Sequence, residues 1–116
     1  MKPAVWLSLL ALPALTCAAF AHAMLEKAAP AAGAVVHGPP ATLRLDFSEP
    51  LEPAFSGVTV TDSAGHAVTS SAPAVSQSAM SVGLKPLSPG QYRVSWHAVS
   101  VDSHRTEGSY IFIVAP

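Results

Sequence analysis

The sequence predicts an all-β fold, a single antiparallel β-sandwich of about seven strands with Greek-key connections, preceded by a signal peptide. Three observations support this class. Apolar and polar residues alternate with a period of two in several short segments, turn-forming residues separate those segments, and no window after the N-terminal leader has helical periodicity. Of the 11 prolines, five lie between residues 30 and 53, where they would stop a helix from forming.

The N-terminal segment has the three parts of a secretory signal peptide. Lys2 gives a positive start, an apolar run follows over residues 5–15, and the Ala-Phe-Ala run at residues 19–21 is typical of a cleavage site. The apolar run is shorter than the roughly 20 residues that a membrane-spanning helix needs. We therefore predict a signal peptide over residues 1–21 and one domain over residues 22–116, exported to the periplasm without direct membrane insertion after cleavage.

Two alternatives remain open for this leader. It could be retained as a membrane anchor, or Cys17 could become a lipidated first residue of the mature protein. Thr16 fits the lipoprotein motif poorly, because a small residue is needed immediately before the cysteine. In either case His22 would be an internal residue.

Alternation locates the strands along the rest of the chain. Leu43, Leu45 and Phe47 alternate with polar residues, which indicates a strand with one buried face. A turn follows the next strand at residues 62–65 (Asp-Ser-Ala-Gly). The predicted strand segments are 43–48, 58–61, 67–68, 75–84, 92–101 and 110–114. The aromatic residues expected in the core are Phe47, Tyr92, Trp96 and Phe112.

The charge of the predicted domain excludes some classes of partner. Residues 22–116 contain five basic and seven acidic residues, so the formal net charge is −2. No cluster of lysine and arginine is present in the sequence. This composition argues against nucleic acid or an anionic membrane surface as a partner.

Asp102-Ser103-His104 is the most informative polar group. In an extended segment, residues two apart point to the same side, so Asp102 and His104 could converge on one ion. A carboxylate and an imidazole make half of a tetragonal metal site. A motif this short also arises by chance, and the two side chains would then be an ordinary solvated pair in a loop.

His22 makes the metal hypothesis more specific. Cleavage after residue 21 would give His22 a free α-amine beside its imidazole, so one residue could chelate an ion through two nitrogens. With Asp102 and His104 the donors become three nitrogens and one oxygen, which suits Cu(II). Alternatively, the mature chain begins with a histidine by coincidence and its end frays. The other histidines are expected at the surface: His37, His66 and His97.

Six segments match a known family pattern. They are His-Ala-Met-Leu at 22–25, Pro-Ala-Ala-Gly at 30–33, Leu-Arg-Leu-Asp-Phe-Ser-Glu at 43–49, Gly-Gln-Tyr-Arg-Val-Ser-Trp at 90–96, Val-Ser-Val-Asp-Ser-His at 99–104 and Gly-Ser-Tyr-Ile-Phe at 108–112. These segments resemble the CopC/PcoC family of periplasmic copper-resistance proteins. The resemblance implies a seven-stranded Greek-key sandwich of the cupredoxin-like or immunoglobulin-like kind.

The same resemblance implies a site and a role. It implies one Cu(II) ion per mature chain, bound by the amine and ring of His22 together with Asp102 and His104. Glu49 is expected beside the N-terminal amine without binding the metal itself; its alternative is an exposed loop acid before Pro50. The implied role is a carrier or buffer in copper homeostasis and resistance, not an enzyme. The implied partner is an inner-membrane CopD-type copper protein.

The chain departs from the family pattern at two places. Some members add a methionine-rich loop that binds Cu(I), whereas residues 22–116 contain only Met24 and Met80. Thioether donors are therefore too few for such a site. The position between Asp102 and His104 is often glycine in the family and is Ser103 here, which we expect to stiffen the loop.

Two other functions are considered as alternatives. The first is a copper oxidase or monooxygenase with a histidine brace, formed by an N-terminal histidine and a second histidine. Here Asp102 would fill a coordination position that oxygen chemistry needs open. The second is a structural sandwich domain that binds no metal, whose thermal stability would not respond to copper.

Overall fold

The computed structural model describes residues 22–116, so the predicted leader over residues 1–21 lies outside the described part of the chain. The all-β prediction is confirmed, with eight strands in place of about seven. The strands are β1 (Leu25–Ala29), β2 (Val35–Val36), β3 (Thr42–Phe47), β4 (Gly57–Thr61), β5 (Ala74–Ser76), β6 (Ala79–Gly83), β7 (Gly90–Val99) and β8 (Arg105–Val114). One 3-10 turn, Pro53–Phe55, precedes β4. Within residues 22–116 no helix has the length and apolar character needed to cross a membrane.

The eight strands form two four-stranded sheets. The strand order is β1-β3-β6-β5 in one sheet and β2-β8-β7-β4 in the other. The pairing is antiparallel except between β2 and β8, which run parallel. Because the chain changes sheet repeatedly, strands that are distant in sequence lie side by side, as a Greek-key sandwich requires. The longest pairing joins β7 to β8, and the turn between them carries the candidate site.

A single apolar core lies between the sheets. The inward positions of β3, Leu43 and Leu45, are completely buried, as is Met80, which lies opposite Leu45 on β6. The second sheet contributes Val94 and Phe112, which are also completely buried. Full burial of such a side chain stabilises the fold by about 1.5–3 kcal/mol. The core therefore gives rigid support to the loops at the ends of both sheets.

Several strand predictions need correction. The segment predicted as one strand over residues 75–84 is a hairpin of β5 and β6, because Gln77 turns the chain with a φ of 56°. The predicted strand at residues 67–68 forms only isolated bridges, such as Thr61 with Ala67. The last strand begins at Arg105, five residues before the predicted start. β1 and β2 were not predicted, because both lie at sheet edges and lack clear alternation.

The aromatic and histidine predictions are mostly confirmed. Phe47, Tyr92 and Phe112 are buried in the core, whereas Trp96 is half-buried and packs edge-on against Phe47 with ring centroids 5.1 Å apart. His37 and His66 are exposed as expected. The prediction for His97 is wrong: its ring is half-buried because it lies over Gly57 on the neighbouring strand.

Candidate metal centre

The candidate site lies at the turn between β7 and β8, residues 100–104. The backbone amide of Ser100 donates to the carbonyl of His104 at 2.9 Å, and the amide of Ser103 donates to the carbonyl of Ser100 at 2.8 Å. These bonds close the turn at the end of the long hairpin. Asp102 and His104 therefore project from a well-defined turn on a rigid scaffold.

The predicted geometry of the Asp-x-His motif is wrong, although the two side chains do meet. They were expected on one side of an extended segment. Instead Ser103 has a φ of 72°, in the left-handed region that favours glycine, so the chain turns between them. The turn brings Oδ1 of Asp102 to 3.2 Å from Nδ1 of His104. A glycine between Asp102 and His104 would adopt this conformation without strain.

The carboxylate of Asp102 is held by hydrogen bonds from its own turn. The hydroxyl of Ser100, which is only 1% exposed, donates to Oδ1 of Asp102. The backbone amide of His104 donates to the same oxygen at 3.3 Å. The Ser100 hydrogen bond, with a smaller contribution from His104, lowers the pKa of Asp102 below its ordinary value. Asp102 is therefore an anion at neutral pH and can attract a cation.

His22 lies beside His104 although 82 residues separate them in sequence. The ring centroids are 5.1 Å apart and the ring planes meet at 67°. The ring of His104 is half-buried, with its Nδ1 enclosed against Asp102, whereas His22 is exposed. A divalent transition metal such as zinc takes imidazole nitrogen at about 2.0–2.1 Å, so one ion could contact both rings after small side-chain rotations.

The three predicted ligands meet in two pairs, His22 with His104 and Asp102 with His104. Within residues 22–116 no three His, Cys, Asp or Glu side chains are gathered closely enough to enclose an ion as they stand. Binding by all three residues would therefore require their side chains to rotate. The donor set of imidazole nitrogens and a carboxylate oxygen fits a divalent transition metal.

Two residues that the sequence argument did not single out hold the segment at residues 22–24. The hydroxyl of Ser48 accepts from the amide of Met24 at 2.8 Å and donates to the carbonyl of His22 at 3.2 Å. The hydroxyl of Thr106 donates to the carbonyl of Ala23 at 2.8 Å. The Phe-Ser-Glu run at residues 47–49, which contains Glu49, is the sequence signal that could have identified Ser48.

Glu49 follows Ser48 in the loop after β3 and is half-buried. Ser48 ties this loop to the N-terminal segment through its hydroxyl and also through its backbone amide, which donates to the carbonyl of Met24 at 2.8 Å. A position beside the N-terminal amine remains a prediction for Glu49.

A family model described as the CopC domain matches residues 25–115. This chain belongs to the CopC family. Protein YobA of Escherichia coli strain K12 is 36% identical to it, and the match covers 93% of this chain and 90% of that protein. Copper resistance protein C of Xanthomonas campestris pv. juglandis is 37% identical, and the match covers 85% of this chain and 84% of that protein.

Solved structures of CopC and PcoC proteins superpose on this chain. CopC from Methylosinus trichosporium OB3b superposes with a TM-score of 0.77 at 31% identity, covering 82% of this chain and 95% of that one. PcoC, a methionine-rich copper resistance protein from Escherichia coli, superposes with a TM-score of 0.70 at 37% identity, covering 81% and 99%. The predicted family and the predicted sandwich are both confirmed. Two of these four names state copper resistance.

Proposed function

We propose that this protein binds one Cu(II) ion through His22, Asp102 and His104 and acts in the periplasm as a carrier or buffer in copper homeostasis and resistance. The observation that carries the proposal is the approach of the His22 and His104 rings, 5.1 Å apart, beside the carboxylate of Asp102. Membership of the CopC family supports copper as the ion.

The donor chemistry favours Cu(II) among the divalent ions. Imidazole nitrogen suits copper, and divalent copper stands at the top of the usual affinity order for such ligands. Because Nδ1 of His104 is buried against Asp102, an ion arriving from solvent would meet the opposite nitrogen, Nε2. If the mature chain begins at His22, its α-amine adds a third nitrogen and makes His22 a chelate.

The exposure of the site supports a carrier more than an enzyme. The side chains of His104 and Asp102 are 36% and 38% exposed, so a partner could reach the ion directly. As a third ligand, Asp102 would occupy a coordination position that oxygen activation needs open. The family resemblance implies an inner-membrane CopD-type protein as the partner that exchanges copper.

The decisive experiment compares two N-termini on the same domain. One protein begins at His22 and the other begins at Ala21. The second keeps every ligand side chain, but the nitrogen of His22 is then part of a peptide bond and is no longer a free amine. Loss of an outer hydrogen-bond partner typically costs about 10–100-fold in metal affinity, so loss of a ligand should cost more than roughly 100-fold. Cu(II) affinity is measured by chelator competition. Equal affinities would refute the N-terminal chelate.

Substitutions at the other two ligands complete the test in the protein that begins at His22. His104→Ala removes a nitrogen donor and should weaken Cu(II) binding strongly. Asp102→Ala should cost less, because water can replace one oxygen. His66→Ala is the matched control: His66 is exposed and its Nδ1 lies 3.7 Å from Asp62, outside the candidate site. Mass spectrometry of the exported protein establishes which residue comes first.

A further inference from the structure

We propose that Ser48 and Thr106 are positioning residues, which fix the backbone of residues 22–24 so that His22 already stands beside His104 before copper arrives. The proposal rests on the proposed function, since it concerns the same site. The observation behind it is that both hydroxyls are bonded to the backbone of this short segment.

Ser48 holds the segment at two points. Its hydroxyl accepts from the amide of Met24 and donates to the carbonyl of His22, at 2.8 and 3.2 Å. Its backbone amide donates to the carbonyl of Met24 at 2.8 Å. The bond to His22 is the informative one, because it acts on the residue that would carry both the chelating amine and the chelating ring.

Thr106 holds the segment from the other sheet. Ser48 follows β3, whereas Thr106 lies in β8 and donates to the carbonyl of Ala23 at 2.8 Å. The side chain of Ala23 is completely buried in the core. The segment is thus bonded on both sides and anchored by a buried methyl group, and only the side chains of His22 and Met24 remain exposed.

Preorganisation explains why such bonds would matter for metal binding. The first residues of a domain are usually mobile unless other groups tie them down. If the segment is mobile, the metal must order it on binding, and the conformational entropy lost weakens the affinity. If the segment is already ordered, binding does not carry this entropic cost. Ser48 and Thr106 therefore raise copper affinity without touching the ion.

The test uses the protein that begins at His22. Ser48→Ala and Thr106→Val each remove one of the two hydroxyls. Thr106→Ser keeps the hydroxyl at position 106. Thr59→Val is the matched control, because it removes an exposed hydroxyl from β4. We expect a loss of Cu(II) affinity of about tenfold in the first two variants, as for outer hydrogen-bond partners of metal ligands. Thr106→Ser and Thr59→Val should retain the affinity of the unaltered protein.

Two further measurements separate positioning from a structural role. In the metal-free protein, the heteronuclear ¹⁵N NOE of the Ala23 and Met24 amides should fall in Ser48→Ala and Thr106→Val. At saturating copper, the electron paramagnetic resonance spectrum should be unchanged, because the ligands are the same. Circular dichroism establishes that each variant is folded at the temperature used.

Unchanged affinity in folded Ser48→Ala and Thr106→Val would overturn the proposal. So would a loss of affinity while the amides of Ala23 and Met24 stay rigid, since the hydroxyls would then act by another route. The proposed function fails on a different result, equal Cu(II) affinity for the proteins that begin at His22 and at Ala21. The amide measurement does not depend on copper and still shows whether the two hydroxyls order the segment.

Discussion

Replacing Gly108 by alanine should destabilise the sandwich, because the new methyl group would overlap the Trp96 ring, which packs against the buried Phe47. Gly108 lies opposite Trp96 in the β7–β8 hairpin. A Cβ placed on Gly108 would lie 2.7 Å from Cζ2 and 3.0 Å from Cε2 of Trp96. The ring would have to move, but Phe47, which is 3% exposed, packs against it with a centroid separation of 5.1 Å.

Gly57 provides a matched comparison, because it lies in β4, the other strand that pairs with β7. A Cβ there would lie 2.9 Å from Cε1 of His97, a similar overlap, but this contact is to the far end of a half-buried ring that can swing outward. Alanine in place of a strand glycine also gains roughly 0.5–1 kcal/mol from the unfolded state. Because this gain applies to both positions, the difference between them is the cost of overpacking. We expect Gly57→Ala to be neutral within about 1 kcal/mol and Gly108→Ala to be about 1–3 kcal/mol less stable than Gly57→Ala.

Thermal unfolding and fluorescence both measure this difference. For a domain of 60–100 residues, 1 kcal/mol corresponds to about 4–8 °C, so the Tm of Gly108→Ala should lie roughly 5–20 °C below that of Gly57→Ala. Trp96 is the only tryptophan in residues 22–116, so its emission reports directly on the displaced ring. If Gly108→Ala is as stable as Gly57→Ala, the argument that Phe47 blocks the Trp96 ring is refuted.

Two further predictions concern the alkaline range and the oxidation state of copper. Burial raises the pKa of Tyr110 to about 12, and its hydroxyl donates to the carbonyl of Pro30 at 2.8 Å. Because the folded pKa exceeds the ordinary value of about 10, the neutral phenol stabilises the fold fully below pH 10 and this contribution is lost as the pH rises towards 12. Tyr110→Phe should cost about 1 kcal/mol at neutral pH and should remove the decline in stability between pH 10 and about 12, measured by urea unfolding. Parallel stability curves for the two proteins would contradict the assignment to Tyr110. Cu(I)-specific chelators should outcompete the protein that begins at His22. Within residues 22–116, Met80 is completely buried and Met24, 60% exposed, is the only accessible thioether. Cu(I) retention that disappears in Met24→Leu would count against this prediction.

The strands that sequence patterns predict well are those with one face in the core. Alternation identified β3 because Leu43, Leu45 and Phe47 all point into the space between the sheets. β1 escaped prediction because an edge strand is held mainly by backbone pairing, here with β3, and its side chains need no strict alternation. The parallel two-residue β2 is determined by its partner β8, about 80 residues away, which no local pattern reveals.

The site shows the same division between local and distant information. Residue types and spacing were enough to select Asp102 and His104, but not the turn that joins them, because Ser103 has no local signature for a positive φ. Ser48 and Thr106 are ordinary polar residues in the sequence. Their contacts reach across 26 and 83 residues, so only the folded chain shows what they hold.

The position of the candidate site follows from the topology of the sandwich. His22 lies three residues before β1 and is tied through Ser48 to the sheet that contains β3, whereas His104 belongs to the hairpin of β7 and β8 in the other sheet. An ion bound by both histidines would therefore join the two sheets at one end of the molecule. The sandwich brings the two rings together without the ion. The α-amine is the one donor that the fold does not supply, and it exists only if the mature chain begins at His22. A comparison of the His22 and Ala21 starts tests that donor, because the two proteins share every side chain of the site, whereas the nitrogen of His22 is a free amine in one and a peptide nitrogen in the other.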